Sequence, residues 1–161
     1  MAIFDKILSI AMKKFLLFFI TIFSMFGHTK AQTDQKSAAD SILRVWETEE
    51  KDGQIRMLKN ADTFYAQMLW GKQLLEADGV TYKKDIHNPD PTLRSRELKN
   101  YTLITGLVYK DGKWTNGKIY NFNDGNSYDV NIKLEDGLMI MRVYKGVPML
   151  GKTLKWSPVA Q

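Results

Sequence analysis

The chain of 161 residues contains no cysteine, so it has no disulfide framework, no thiolate metal site and no thiol to carry a lipid anchor. Proline is scarce, at 4 residues, and Pro89 and Pro91 fall together in one polar segment. Histidine is scarcer still, at 2. Long apolar runs are missing as well. Phe15 to Phe26 is a stretch of twelve residues already broken by Thr21 and Ser24. A membrane-spanning helix needs roughly 20 apolar residues, so this stretch does not read as an anchor.

What is present there reads as an export leader. Met12-Lys13-Lys14 supplies a basic start, the apolar stretch follows, and Thr29 and Ala31 are the small residues a signal peptidase needs. The expectation is a signal peptide over residues 1–31, with Met12 a better start than Met1, and a single domain over residues 32–161. Processing would remove Lys6, Lys13, Lys14, Lys30 and Asp5. The net charge of +5 then falls to +2, from 19 basic and 17 acidic side chains. A surface that balanced gives no electrostatic case for nucleic acid, which requires a concentrated basic face. The processed chain is expected to be soluble, periplasmic or secreted, with no membrane anchor. Its oligomeric state is not legible.

Beyond the leader, Ser37 to Leu43 predicts a short helical turn, with Ser37 as its cap. The punctuation then changes. Asp-Gly occurs five times, at Asp52, Asp78, Asp111, Asp124 and Asp136. Glycine accepts positive φ and aspartate tolerates it, so these pairs suit hairpin turns. Between them, Tyr128, Val130, Ile132 and Leu134 alternate with polar neighbours, and Phe64, Ala66, Met68 and Trp70 form a second period-two series. Arg44–Glu50, Gln54–Asn60, Leu103–Val108, Trp114–Asn121, Leu138–Lys145 and Met149–Trp156 complete about eight or nine strands. Sequential hairpins predict an all-β antiparallel meander, and closing it into a barrel removes exposed edges. Residues 81–100 have no sustained period and predict a long ordered loop between hairpins.

That loop also carries a family resemblance. Asp85-Ile86-His87-Asn88-Pro89-Asp90-Pro91-Thr92-Leu93-Arg94-Ser95-Arg96-Glu97-Leu98 resembles the D-x-x-N-P-D-P-x-L-R-x-R-x-L segment of an exported bacterial family known as domain of unknown function 2147. Gly117-Lys118-Ile119-Tyr120 with Asp124-Gly125 and Tyr128, then Tyr144-Lys145-Gly146 with Leu150-Gly151-Lys152-Thr153 and Trp156, are similar to its later motifs. Arg44-Val45-Trp46 departs from the usual Gly-x-Trp. The resemblance implies a lipocalin-like, calycin-type barrel and assigns no activity. It also implies that Trp46 packs beneath a basic side chain, Arg142 or Lys152, to close one end, a cation–π contact of about 0.5–2 kcal/mol.

The loop is where polar groups converge. Asp85, His87, Asn88 and Asp90 offer acceptors, while Arg94 and Arg96 offer forked donors for a carboxylate or phosphate. Trp70, Trp114, Tyr120, Phe122, Tyr128, Tyr144 and Trp156 are spread across the strands and are candidates for the apolar wall of a pocket, with Trp70, Trp114 and Tyr128 foremost; if they instead fill the core, no pocket remains. The competing reading is a self-sufficient lid, with Asn88 and Asp90 capping turns and the arginines paired to Asp85, Asp90 or Glu97. No metal is expected, because the loop lacks the glycine and bidentate glutamate of a calcium loop. No cofactor and no catalytic residue is expected either. His87 would need a nucleophile beside it, and neither Ser95 nor any Gly-x-Ser-x-Gly elbow supplies one. The leading expectation is non-catalytic binding of a small amphipathic ligand in the barrel. The alternative is an envelope or secreted protein-interaction module with a filled barrel, and a hydrolase ranks third.

Overall fold

The structure, a computed structural model, describes residues 37–160. The expected leader and its cleavage site lie outside the described residues. The chain divides into two compact units, residues 1–40 and 41–161. Of the first, only residues 37–40 are described, and they form one helical turn.

The second unit is a closed barrel of eight antiparallel strands in sequential order. They are β1 (Val45–Thr48), β2 (Gly53–Asn60), β3 (Thr63–Gly71), β4 (Thr102–Lys110), β5 (Lys113–Asn121), β6 (Asn126–Glu135), β7 (Leu138–Tyr144) and β8 (Lys152–Pro158). Closure comes from β1 against β8, where Trp46 faces Pro158 and Thr48 faces Trp156. Every ladder bond is then made within the sheet, and no edge remains.

The Asp-Gly pairs do two different jobs. Asp111-Gly112 and Asp136-Gly137 are two-residue hairpin turns with positive φ at both positions, 50° and 77°, then 51° and 79°. That is the I′ geometry the right-handed strand twist favours. Asp78-Gly79 turns the chain inside the long β3–β4 connection instead. The β2–β3 hairpin has no glycine and takes its positive φ, 52°, at Ala61.

Two boundaries depart from the period-two reading. Trp70 was expected on the face of Phe64, Ala66 and Met68. A bulge opposite Gln54/Ile55 inserts a residue, so Met68 and Gly71 face inward while Trp70 turns out and is 37 % exposed. The last strand begins at Lys152 rather than Met149, because Pro148–Leu150 form a 3-10 turn.

The interior is packed over part of its length. Phe64, Trp114, Ile55, Met57, Ile132, Met139 and Met141 are buried there, with Phe64 and Trp114 in edge contact at 6.3 Å. Gly117 fits between Leu107 and Val130, and a Cβ there would come 2.6 Å from Leu107 Cδ2. Among the described residues, no helix is long and apolar enough to cross a membrane.

Candidate functional site

Towards the end where β3 leaves and β4 enters, the barrel is hollow. A cavity of about 510 Å³ opens there, within the range of small-molecule sites. Its wall is the inward face of the strands: Met68 of β3, Leu103 of β4, Ile119 of β5, Tyr128 of β6, Val143 of β7, and Leu154 and Trp156 of β8. Leu74, from the turn after β3, and Tyr101, just before β4, add to it. Polar groups sit with these: Asp52 on the β1–β2 turn, Asn121 and Asn123 at the β5–β6 turn, and Lys152 at the start of β8. The barrel is thus filled at one end and open at the other.

The β3–β4 loop is fastened to this mouth by a buried carboxylate. Asp85 is 0 % exposed. Its Oδ1 accepts from Tyr120 Oη at 2.6 Å. Its Oδ2 accepts from Asn88 Nδ2 at 2.7 Å and from Arg96 Nε and Nη2 at 3.1 and 2.8 Å. Backbone bonds between Asp85 and Arg96, and between Asn88 and Asp85, close the loop on itself. Burial works against the charge on Asp85, but the bonds from Tyr120, Asn88 and Arg96 outweigh it and hold the carboxyl below its ordinary value. Burial, followed by the bond to that carboxylate, pushes Tyr120 up to about 12. Tyr101 packs edge-on against Tyr120 at 6.3 Å. Burial, then the Asp85 charge, raises its phenol as well.

The remaining loop residues serve the same closure. Asp90 caps the Pro91–Leu93 turn by accepting from the Thr92 amide and hydroxyl. Arg94 Nε donates to the Asn88 carbonyl at 2.8 Å. His87 lines a second pocket, of about 470 Å³, with Ile86 and Phe122, and no hydrogen bond among the described residues joins it to a hydroxyl. The loop cluster therefore satisfies itself and shapes the mouth from outside. Of the expected pocket residues, Tyr120, Phe122, Tyr128 and Trp156 line the cavity. Trp114 lies in the packed core, 2 % exposed, and Trp70 lies on the outer surface.

Trp46 does not meet Arg142 or Lys152, the partners the family resemblance implies. The cation over its ring is Arg44, at 5.6 Å, and its indole N–H donates to the Ile42 carbonyl at 2.9 Å. Arg142 follows the inward-facing Met141 and so points outward, where it donates to the Pro148 and Met149 carbonyls and to Thr153 Oγ1. Lys152 is six residues along β8 from the Trp46 register, roughly 20 Å away, and stands at the mouth instead.

The sequence-based candidates leave out most of the aliphatic lining, Leu154 of β8 among it. Leu154 shares one face of its strand with Lys152 and Trp156, which period two within Met149–Trp156 could have disclosed. Nothing in the sequence marks Tyr120 as the partner of a residue 35 positions earlier.

A closed eight-stranded meander, packed at one end and open at the other, defines the chain as a lipocalin-like barrel. Over residues 45–157 it matches the family described as "Uncharacterized protein conserved in bacteria (DUF2147)", and the chain belongs to that family. It is similar to protein HP1028 of Helicobacter pylori, described as belonging to the lipocalin family. The TM-score is 0.65 and the identity 26 %, covering 75 % of this chain and 84 % of that one. No curated protein matches the chain.

Proposed function

We propose that this is an exported protein that binds a small amphipathic molecule in the open end of its barrel, without catalysis. The cavity carries the reading: an apolar wall under a rim with Asp52, Lys152 and two asparagines suits a ligand with an oily body and a polar end. Medium-chain amphiphiles such as decanoate should raise the melting temperature of the processed protein by several degrees at saturation, since about 100 times Kd adds about 2.7 kcal/mol. Leu154→Trp, which fills the cavity, should abolish the shift and remove any adduct seen by native mass spectrometry. An unchanged melt for the wild type across such a series would refute the reading. Export carries its own test. The protein recovered outside the cytoplasm should begin at Gln32, and an N-terminus at Met1 or Met12 would overturn it.

A second reading, a protein-interaction module of the envelope or the secreted space, draws support from the β7–β8 loop. Val147, Met149 and Leu150 are 53 %, 87 % and 83 % exposed, while Arg142 pins the backbone beneath them. Such a role would survive Leu154→Trp, which separates the two readings.

A further inference from the structure

The most exposed large apolar side chains gather at one end of the barrel. Among the described residues they are Val80 and Ile86 on the β3–β4 loop, and Val147, Met149 and Leu150 on the β7–β8 loop. Both loops border the cavity mouth, since Tyr101 at the root of the first and Val143 at the root of the second line its wall. The hairpin turns at the packed end are Ala61-Asp62, Asp111-Gly112 and Asp136-Gly137, which expose no large apolar side chain. An apolar cluster facing water marks a surface that meets a partner or a membrane.

The backbone of the β7–β8 tip favours the membrane. Chain that enters the lipid interface needs its polar groups already paired. Arg142 donates to the carbonyls of Pro148 and Met149 at 2.8 and 2.9 Å. The amides of Val147, Leu150 and Gly151 donate to the carbonyls of Lys145, Val147 and Pro148. Pro148 has no amide hydrogen to leave unpaired. Charge points the same way. Residues 137–161 contain no Asp or Glu, and exposed Lys145 and Lys152 flank the tip. Glu49 and Glu50 line a groove with Lys152 and Lys155 and offset part of that charge. Apolar contact therefore carries most of the affinity, and the lysines select anionic lipid over neutral.

We propose that the open end of the barrel docks on an anionic lipid bilayer, with Val147, Met149 and Leu150 entering the headgroup layer. Docking goes beyond ligand binding and holds whatever the cavity carries. A protein partner would need a continuous, shape-matched patch of about 800 Å², whereas the apolar side chains here stand on two different loops around a mouth. A lipid surface takes such side chains one by one.

Flotation of the processed protein with vesicles tests this. The wild type should float with mixed phosphatidylethanolamine–phosphatidylglycerol vesicles and partition about tenfold less onto phosphatidylcholine. Met149→Ser with Leu150→Ser should lower partitioning by about 30-fold or more, with an unchanged melt because both side chains stand in water. Leu43→Ser, an exposed apolar site outside the two loops, should float like the wild type. Because the chain has no cysteine, Met149→Cys and Asp62→Cys each give one labelling site. A polarity-sensitive fluorophore should brighten on vesicles at 149 and stay unchanged at 62, on the packed end. A wild type that remains in solution with the phosphatidylglycerol vesicles overturns the proposal and leaves the cavity reading intact. Equal flotation of the double serine variant, or no fluorescence change at 149, overturns it too. A wild-type dimer in sedimentation, absent from vesicles and lost in the serine variant, would make the tip an interface between copies instead.

Discussion

Replacing Asp85 with alanine should cost about 3 kcal/mol, seen as a melting temperature lower by roughly 10 °C. The carboxylate is fully buried and receives four hydrogen bonds from three side chains. Its removal leaves Tyr120, Asn88 and Arg96 without an acceptor. Arg96 is 38 % exposed and regains some water, which keeps the loss at the low end for a broken buried pair. Tyr120→Phe deletes one bond and should cost only about 1 kcal/mol. Hydrogen exchange over residues 83–98 should speed up in both variants. pH gives an independent check. The folded carboxyl lies below its ordinary value, so its contribution is present above about pH 4 and is lost as pH falls through the folded value. The gap between wild type and Asp85→Ala should therefore narrow in acid. Tyr120 runs the other way. Its phenol is raised to about 12, so what it adds is complete below about pH 10 and lost as pH climbs through 12. A stability gap that stays constant from pH 7 to pH 3 would show that the lock does not rest on the ionised form.

The fold was legible because two local signals agreed along most of the chain. Asp-Gly corners mark four of the turns between consecutive strands, and alternation marks which side chains face in. Alternation misled where the chain gains a residue. No local feature of Leu69-Trp70-Gly71 announces the bulge that turns Trp70 outward, since it depends on the register with β2. Arg142 misled for a related reason, because a residue's face is fixed only once its strand is phased against a buried neighbour such as Met141. The loop cluster is visible as composition, and the pairing of Arg96 with Asp85 is one of the two arrangements its residues allow. The Tyr120 bond was not visible, because the barrel alone brings β5 to the loop. The cavity depended on which inward residues are too small or too widely spaced to meet, a property of closed geometry rather than of sequence.

The same closed geometry gives Gly125 more weight than a turn glycine ordinarily has. Gly125→Ala should destabilise the protein by about 2–3 kcal/mol, against about 1 kcal/mol for Gly137→Ala. Both positions have positive φ, 71° and 79°, so both pay the left-handed backbone cost. At Gly137 an added Cβ meets nothing within 4 Å. At Gly125 it would overlap the carbonyl oxygen of His87 and lie 2.9 Å from its carbonyl carbon. Backbone cannot yield as a side chain does, so the loop must lift off the β5–β6 turn. Lifting it strains the Tyr120–Asp85 bond, since His87 and Asn88 stand only two and three residues after Asp85. The two lesions thus share one consequence, and Asp85→Ala combined with Gly125→Ala should cost less than the sum of the single changes. Additive losses in denaturant melts would mean that the turn and the carboxylate hold the loop independently. Tyr120, Asn121 and Asn123 all line the cavity. A loop displaced at Gly125 therefore reshapes the mouth, and ligand affinity should fall in Gly125→Ala while Gly137→Ala binds like the wild type.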